Sequence, residues 1–202
     1  MPNQTFDPPN RTVANIHPSD PQADAARRQA LLEASTLRWL RDADRDRADA
    51  RALTARTLRD WLRDTPSEHR VERLGELSVA LHRQLAPRST PDAAAFISAF
   101  AHTMMETAVA EVEREAACAG HVAWFTALRP FLHVEPTEVQ RADLTTRLDG
   151  GEAALALALT RLRRRLHERI DAALRLWAPD REARDLLRRR LRDSLIATEP
   201  TP

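Results

Sequence analysis

The chain has 202 residues, with 31 basic against 30 acidic side chains and a formal net charge of +1 at pH 7. This balance excludes a uniformly basic nucleic-acid coat, and the single Cys118 excludes both a disulfide framework and a cysteine-based zinc site. A hydrophobic content of 43% with 30% charged residues is typical of a helix-rich globular chain with a modest core.

Residues 1–18 are rich in proline and poor in apolar side chains, so we expect a disordered N-terminal segment. The segment lacks the basic start and apolar stretch of a secretory signal. The chain also contains no uncharged apolar run of 18 residues. The sequence therefore predicts a cytoplasmic protein without a membrane contact.

Residues 19–86 are predicted to form the first of two small helical domains. Asp20 and Pro21 mark a helix start, because aspartate caps a helix and proline suits its first turn. A second helix is predicted over 47–63 and a third over 67–86, where apolar residues recur every three or four positions.

The proline-containing segment 87–91 is the predicted linker. The second domain is predicted over 92–197, followed by a polar tail at 198–202. Its first helix ends near Gly120, which suits a helix C-terminus. The acidic residues on this helix are interpreted as a solvated face: Glu106, Glu111, Glu113 and Glu115.

A shorter helix is predicted over 122–131. Thr137 and Gln140 have the spacing of a capping box, which predicts a further helix ending at Leu148. A turn at 149–151 and a long helix from Glu152 follow, and a last helix begins after Asp180. No segment shows strand periodicity. The predicted fold is therefore all-α, with a helix-turn-helix in the second domain.

The long helix and the one after it are rich in arginine. From Arg161 to Arg192 there are twelve arginines against five acids. A short helix, a glycine turn and a long basic helix have the layout of a DNA-binding helix-turn-helix, in which arginines reach phosphates. The alternative interpretation is a solvated arginine face on an amphipathic helix.

Residues 111–195 resemble the C-terminal half of bacterial extracytoplasmic-function (ECF) sigma factors. The resemblance rests on the segment WFTALRPFL at 124–132 and on the run ADLTTRLDGGEAALALALTRLRRRL at 142–166. It implies a promoter-reading helix-turn-helix, with RNA polymerase core and promoter DNA as partners and an anti-sigma or other regulatory protein as a further one. The DNA-binding residues that it implies are Glu152, Ala156, Thr160, Arg161, Arg163, Arg164 and Arg165.

Residues 47–62 resemble the sigma helix that docks on RNA polymerase. The resemblance implies a docking set of Leu53, Thr54, Arg56, Thr57 and Trp61. The family usually has Asp-Leu-Thr-Gln here, whereas this chain has Ala52-Leu53-Thr54-Ala55.

A second hypothesis is a non-enzymatic regulatory or adaptor protein on a sigma-like scaffold. The start of the long helix is apolar nearly all round, which favours burial against another helix, subunit or partner protein. The interface residues on this hypothesis are Leu155, Leu157 and Leu159, and self-association is one form of it. Neither hypothesis involves an enzyme or a cofactor, because the sequence shows nothing that resembles a nucleophile–base pair. Neither involves a metal, because the seven histidines lack metal-ligand spacing.

Overall fold

A computed structural model of the chain describes residues 20–42, 50–85, 93–148 and 151–198, and in these ranges the regular elements are helices. The predicted all-α class is confirmed. The α-helices are α1 (Pro21–Asp42), α2 (Ala50–Asp64), α3 (Leu74–Leu85), α4 (Ala93–Cys118), α5 (Val122–Leu128), α6 (Glu138–Arg147), α7 (Glu152–Trp177) and α8 (Arg181–Thr198). Short 3-10 turns occupy Ser67–His69 and Arg129–Phe131.

Capping signals predicted from the sequence occur at several helix ends. At the start of α1, the backbone N–H of Gln22 donates to the Asp20 carboxylate at 3.0 Å. Thr137 and Gln140 form the reciprocal capping box of α6. Gly120 follows α4 with φ +76°, a conformation that side-chain-bearing residues rarely adopt. These ends are set by contacts within a few residues.

The third predicted helix starts later than expected. Residues Ser67–His69 form a 3-10 turn, and α3 begins only at Leu74. After this turn, Arg70 lies beside the end of α2. Its guanidinium donates to the carbonyls of Leu62 and Thr65 at 3.2 and 3.1 Å. The prediction of one helix over 67–86 is therefore wrong in its first turns.

By their contacts the described residues fall into two compact units. The first comprises 107–148 with 151–170, and the second comprises 20–42, 50–85, 93–106 and 171–198. The division falls inside α4 and α7. The predicted linker at 87–91, the N-terminal segment 1–18 and residues 199–202 of the predicted tail lie outside the described residues, so the predicted domain boundaries stay predictions.

The second unit has a core rich in leucine and aromatic side chains. Trp39 meets Phe96 edge-on with ring centroids 5.8 Å apart, and Phe100 meets Trp177 in the same way at 5.1 Å. Leucines from α1, α2 and α3 complete this core: Leu32, Leu40, Leu58, Leu74, Leu77 and Leu81. Among the described helices, α4 is long and apolar enough to cross a membrane by length and composition, and its Phe96, Phe100 and Met104 are buried inside the protein.

Candidate nucleic-acid interface on α6 and α7

Helices α6 and α7 pack together in the first unit around a small apolar cluster. Leu144 of α6 and Leu155, Ala158 and Leu159 of α7 are buried with Leu128 of α5. Trp124 and Phe131 pack against the edge of the cluster. Because α5, α6 and α7 all contribute, this cluster fixes which side of α7 faces solvent.

The solvent-facing side of α7 has few polar side chains in its first turns. Glu152, Ala156 and Thr160 are exposed, as the resemblance required of DNA-contacting residues. Leu157 lies on the same side and retains 48% of its surface exposed. This side therefore presents small or apolar groups before the arginines begin.

The three leucines predicted as a protein interface do not share one surface. Leu155 and Leu159 are 3% and 6% exposed because they pack against α5 and α6 of the same unit. Only Leu157 points to solvent. The expectation of a three-leucine contact surface is corrected in this respect: the apolar stripe is satisfied inside the chain.

Arg163 is hydrogen-bonded to backbone carbonyls of its own unit. Its Nη2 donates to the carbonyls of Phe131 and Val134, both at 2.8 Å, and its Nε donates to Phe131 at 3.2 Å. Its Nη1 is paired with the Glu135 carboxylate. All three guanidinium nitrogens of Arg163, which the resemblance assigns to DNA, are therefore engaged inside the unit.

Arg165 belongs to an ion-pair network between α4 and α7. Its Nε lies 2.5 Å from Glu115 and its Nη1 lies 2.7 Å from Glu168, and these hydrogen bonds raise the pKa of Arg165. Arg169 also pairs with Glu115 and lies 3.8 Å from Glu111. Arg165, which the resemblance assigns to DNA, is thus a member of this network in the structure.

The expectation that the acidic residues of α4 form a solvated face is wrong for Glu111 and Glu115, which are partly buried, whereas Glu106 and Glu113 are exposed. Glu111 and Glu115 pair with arginines of α7, and Glu106 accepts from Arg38 at 2.5 Å. The available signal was the matched spacing: Glu111 and Glu115 are four residues apart, as are Arg165 and Arg169. Such equal spacing allows two helices to pair along facing ridges.

Two arginines of the predicted DNA-binding set have few or no interactions with other described residues. The Arg161 guanidinium has no hydrogen bond or ion pair to any described residue. Arg164 is 77% exposed and has only a 3.6 Å pair with Glu168, four residues along the same helix. These two are the cations of residues 160–165 that are free to meet an external anion.

The residues predicted to dock on polymerase divide between core and surface. Thr54 is 2% exposed, and its hydroxyl is buried without a partner among the described residues. Trp61 and Thr57 are half-buried, whereas Arg56 is exposed. Of Leu53 only the helical backbone is described. Thr54, which the resemblance assigns to polymerase docking, is therefore buried within its own unit.

No metal centre is formed within the described ranges, where no three His, Cys, Asp or Glu side chains come together. Cys118 is exposed at the end of α4. His133, next to the residues that Arg163 binds, has its pKa lowered by burial and by the nearby His167 and Arg163. The arrangement therefore offers cationic and apolar contacts to a binding partner.

Comparison with known proteins gives no relative: no protein-family model, no curated protein and no solved structure matches this chain.

Proposed function

We propose that the chain is an ECF sigma-like transcription protein that binds promoter DNA through α6 and α7 and binds RNA polymerase core. The observation that carries the DNA-binding part is the packing of α6 on α7. It leaves Arg161 without a partner among the described residues and Arg164 with only a 3.6 Å pair to Glu168, next to an exposed stretch that contains Ala156 and Thr160. Cations at this position would contact phosphates, and small side chains would let the helix approach a groove.

Salt-dependent binding to duplex DNA tests this proposal. Each neutralised phosphate contributes about 0.9 to the slope of log affinity against log salt concentration. We expect the double variant Arg161→Ala/Arg164→Ala to lower the slope by about 1.8, as two lost contacts require. Fluorescence anisotropy with a labelled duplex at several KCl concentrations measures the slope.

The matched control is Arg181→Ala. Arg181 lies on α8, its side chain is 91% exposed, and its ion pair with Asp185 is long, at 3.9 Å. This variant removes one positive charge from α8, outside the proposed contact set, so the slope should stay within error of the parent value. Equal losses for the control and the double variant would indicate non-specific attraction, and no binding by the parent protein would refute the DNA-binding role.

Polymerase binding requires a separate test, because Thr54 is buried. We expect the protein to co-elute with core RNA polymerase on a sizing column. Docking would then use exposed side chains of α2, and Arg56→Glu should abolish co-elution while Thr54→Ser leaves it intact. The reverse pattern, or elution apart from polymerase, would contradict docking through α2.

A second candidate function is favoured by the exposed Leu157. A leucine with 48% of its surface in water, among exposed alanines, suits a contact with another protein as well as with DNA. The variant Leu157→Arg separates the two functions. On the DNA-binding proposal its added charge strengthens duplex binding, whereas on the adaptor hypothesis it breaks an oligomer or complex, which light scattering detects.

A further inference from the structure

We infer that Arg163 is a positioning residue, which fastens the segment 131–135 to α7 and does not contact DNA. Its effect on DNA binding depends on the function proposed above, but its effect on the segment does not. The sequence places Arg163 beside Arg164 in one basic run, yet the structure gives these neighbours opposite surroundings.

The hydrogen bonds of Arg163 cross a long stretch of chain. Phe131, Val134 and Glu135, its three acceptor residues, precede it by 32, 29 and 28 positions. Two acceptors are backbone carbonyls: that of Phe131, the last residue of the 3-10 turn at Arg129–Phe131, and that of Val134 beyond the turn. The rigid fork of an arginine can serve such divergent carbonyls together, whereas a lysine presents its donors from one point.

The segment that Arg163 holds leads directly into α6. Pro136 is buried, and its carbonyl accepts from Arg141 Nε at 3.1 Å. The Thr137 hydroxyl then caps α6 by accepting from the backbone N–H of Gln140 at 3.4 Å. Arg163 therefore fixes the start of α6 against the middle of α7, and with it the geometry of both helices.

A positioning arginine and a phosphate-contacting arginine respond differently to substitution. Loss of a phosphate contact lowers the salt slope by about 0.9, and lysine largely preserves the contact because it is also a phosphate-binding cation. Loss of a positioning arginine weakens binding at every salt concentration with an unchanged slope. Lysine fails to restore it, because the fork is lost.

The experiment compares Arg163→Ala, Arg163→Lys, Arg164→Ala and Arg164→Lys in the full-length protein. Hydrogen exchange is followed in the peptide covering 129–140, and affinity for a labelled duplex is measured at several salt concentrations. We expect both Arg163 variants to exchange faster in this peptide and to bind about ten-fold more weakly at constant slope. We expect Arg164→Ala to leave exchange unchanged and to lower the slope by about 0.9, with Arg164→Lys near the parent protein.

Glu135→Gln adds a milder variant that keeps both carbonyl bonds of Arg163, so exchange should rise less than in Arg163→Ala. If Arg163→Ala does not fold, Arg163→Lys and Glu135→Gln still give the comparison. Unchanged exchange in Arg163→Lys would overturn the inference, as would a salt slope that falls in Arg163→Ala and recovers in Arg163→Lys. If the parent protein binds no duplex, the DNA-binding proposal fails and the exchange data still decide the role of Arg163.

Discussion

At the residue scale, several arginines act as caps on backbone carbonyls. Arg70 donates to the end of α2, Arg163 to the segment after α5, and Arg184 to the carbonyl of Ala178 at 3.2 Å after α7. Arg28 also reaches α7, at the Leu176 carbonyl. The last carbonyls of a helix have no partner inside it, so a forked cation nearby stabilises the helix end.

We expect Arg70→Lys to lower the free energy of unfolding by about 1 kcal/mol, because lysine cannot hold the Leu62 and Thr65 carbonyls together. The control is Arg59→Lys on the exposed side of α2, which should change stability by less than about 0.5 kcal/mol. Urea denaturation followed by circular dichroism measures both. Equal stability of the two variants would show that the fork contributes nothing.

The lowered pKa of His133 predicts that the free energy of unfolding depends on pH. Burial, His167 and Arg163 lower its pKa in the folded protein below the usual 6.5. Between the two pKa values the unfolded chain binds more protons, so the free energy of unfolding falls as the pH drops through about 6.5 and levels off below the folded pKa. We expect His133→Gln to flatten this part of the profile in urea denaturation between pH 7.5 and pH 5. An unaltered profile would assign the acid sensitivity to other groups.

At the element scale, the packing of α7 determines which of its leucines matter for stability. We expect Leu155→Ala to lower the free energy of unfolding by about 2–5 kcal/mol, because it leaves a cavity beside Leu144 and Leu128. Leu157→Ala is the matched control on the same helix, with an expected loss below about 1 kcal/mol. Thermal and urea unfolding distinguish them. Similar losses would mean that Leu157 is buried in solution by self-association.

The ion pairs between α4 and α7 are tested by removing one carboxylate. Glu115 accepts from both Arg165 and Arg169, so Glu115→Gln should cost about 1 kcal/mol of unfolding free energy. Glu113→Gln, an exposed neighbour on α4, should cost less than about 0.5 kcal/mol. The difference should shrink in about 1 M salt, which screens partly exposed pairs. A difference that persists there would indicate packing and not charge as its cause.

Helix positions were the most predictable elements, because their signals are local. Asp20, the capping box of Thr137 and Gln140, and Gly120 each act within a few residues of the helix end they define. The start of α3 differs from the prediction. Arg70 donates to the end of α2, and hydrophobic periodicity does not encode such a contact. Helix boundaries thus followed the sequence where a cap acts within one turn, and differed from it where a side chain bonds back five and eight residues.

At the scale of the whole molecule, α4 and α7 each contribute to two compact units, which bears on the predicted linker at 87–91. We expect the fragment 92–202 to fold poorly, because Phe96 would lose its contact with Trp39 and the core leucines of α1–α3 would be absent. A lower melting temperature and dye binding to exposed apolar surface, relative to the full chain, would agree with this. Full helicity and an unchanged melting temperature would establish 87–91 as a true domain boundary.

The sequence by itself determined the all-α class, most helix ends and the concentration of arginines after Arg161. Those properties follow from composition, caps and periodicity, all of which act over one or two turns. Only the tertiary structure decided that Arg163 and Arg165 are engaged while Arg161 and Arg164 are free, and that Leu155 is core while Leu157 faces water. The partners of these side chains lie tens of residues away or in other helices. Residues of the same type that are neighbours in the sequence therefore differ in their contacts, and only the packing shows which contacts each one makes.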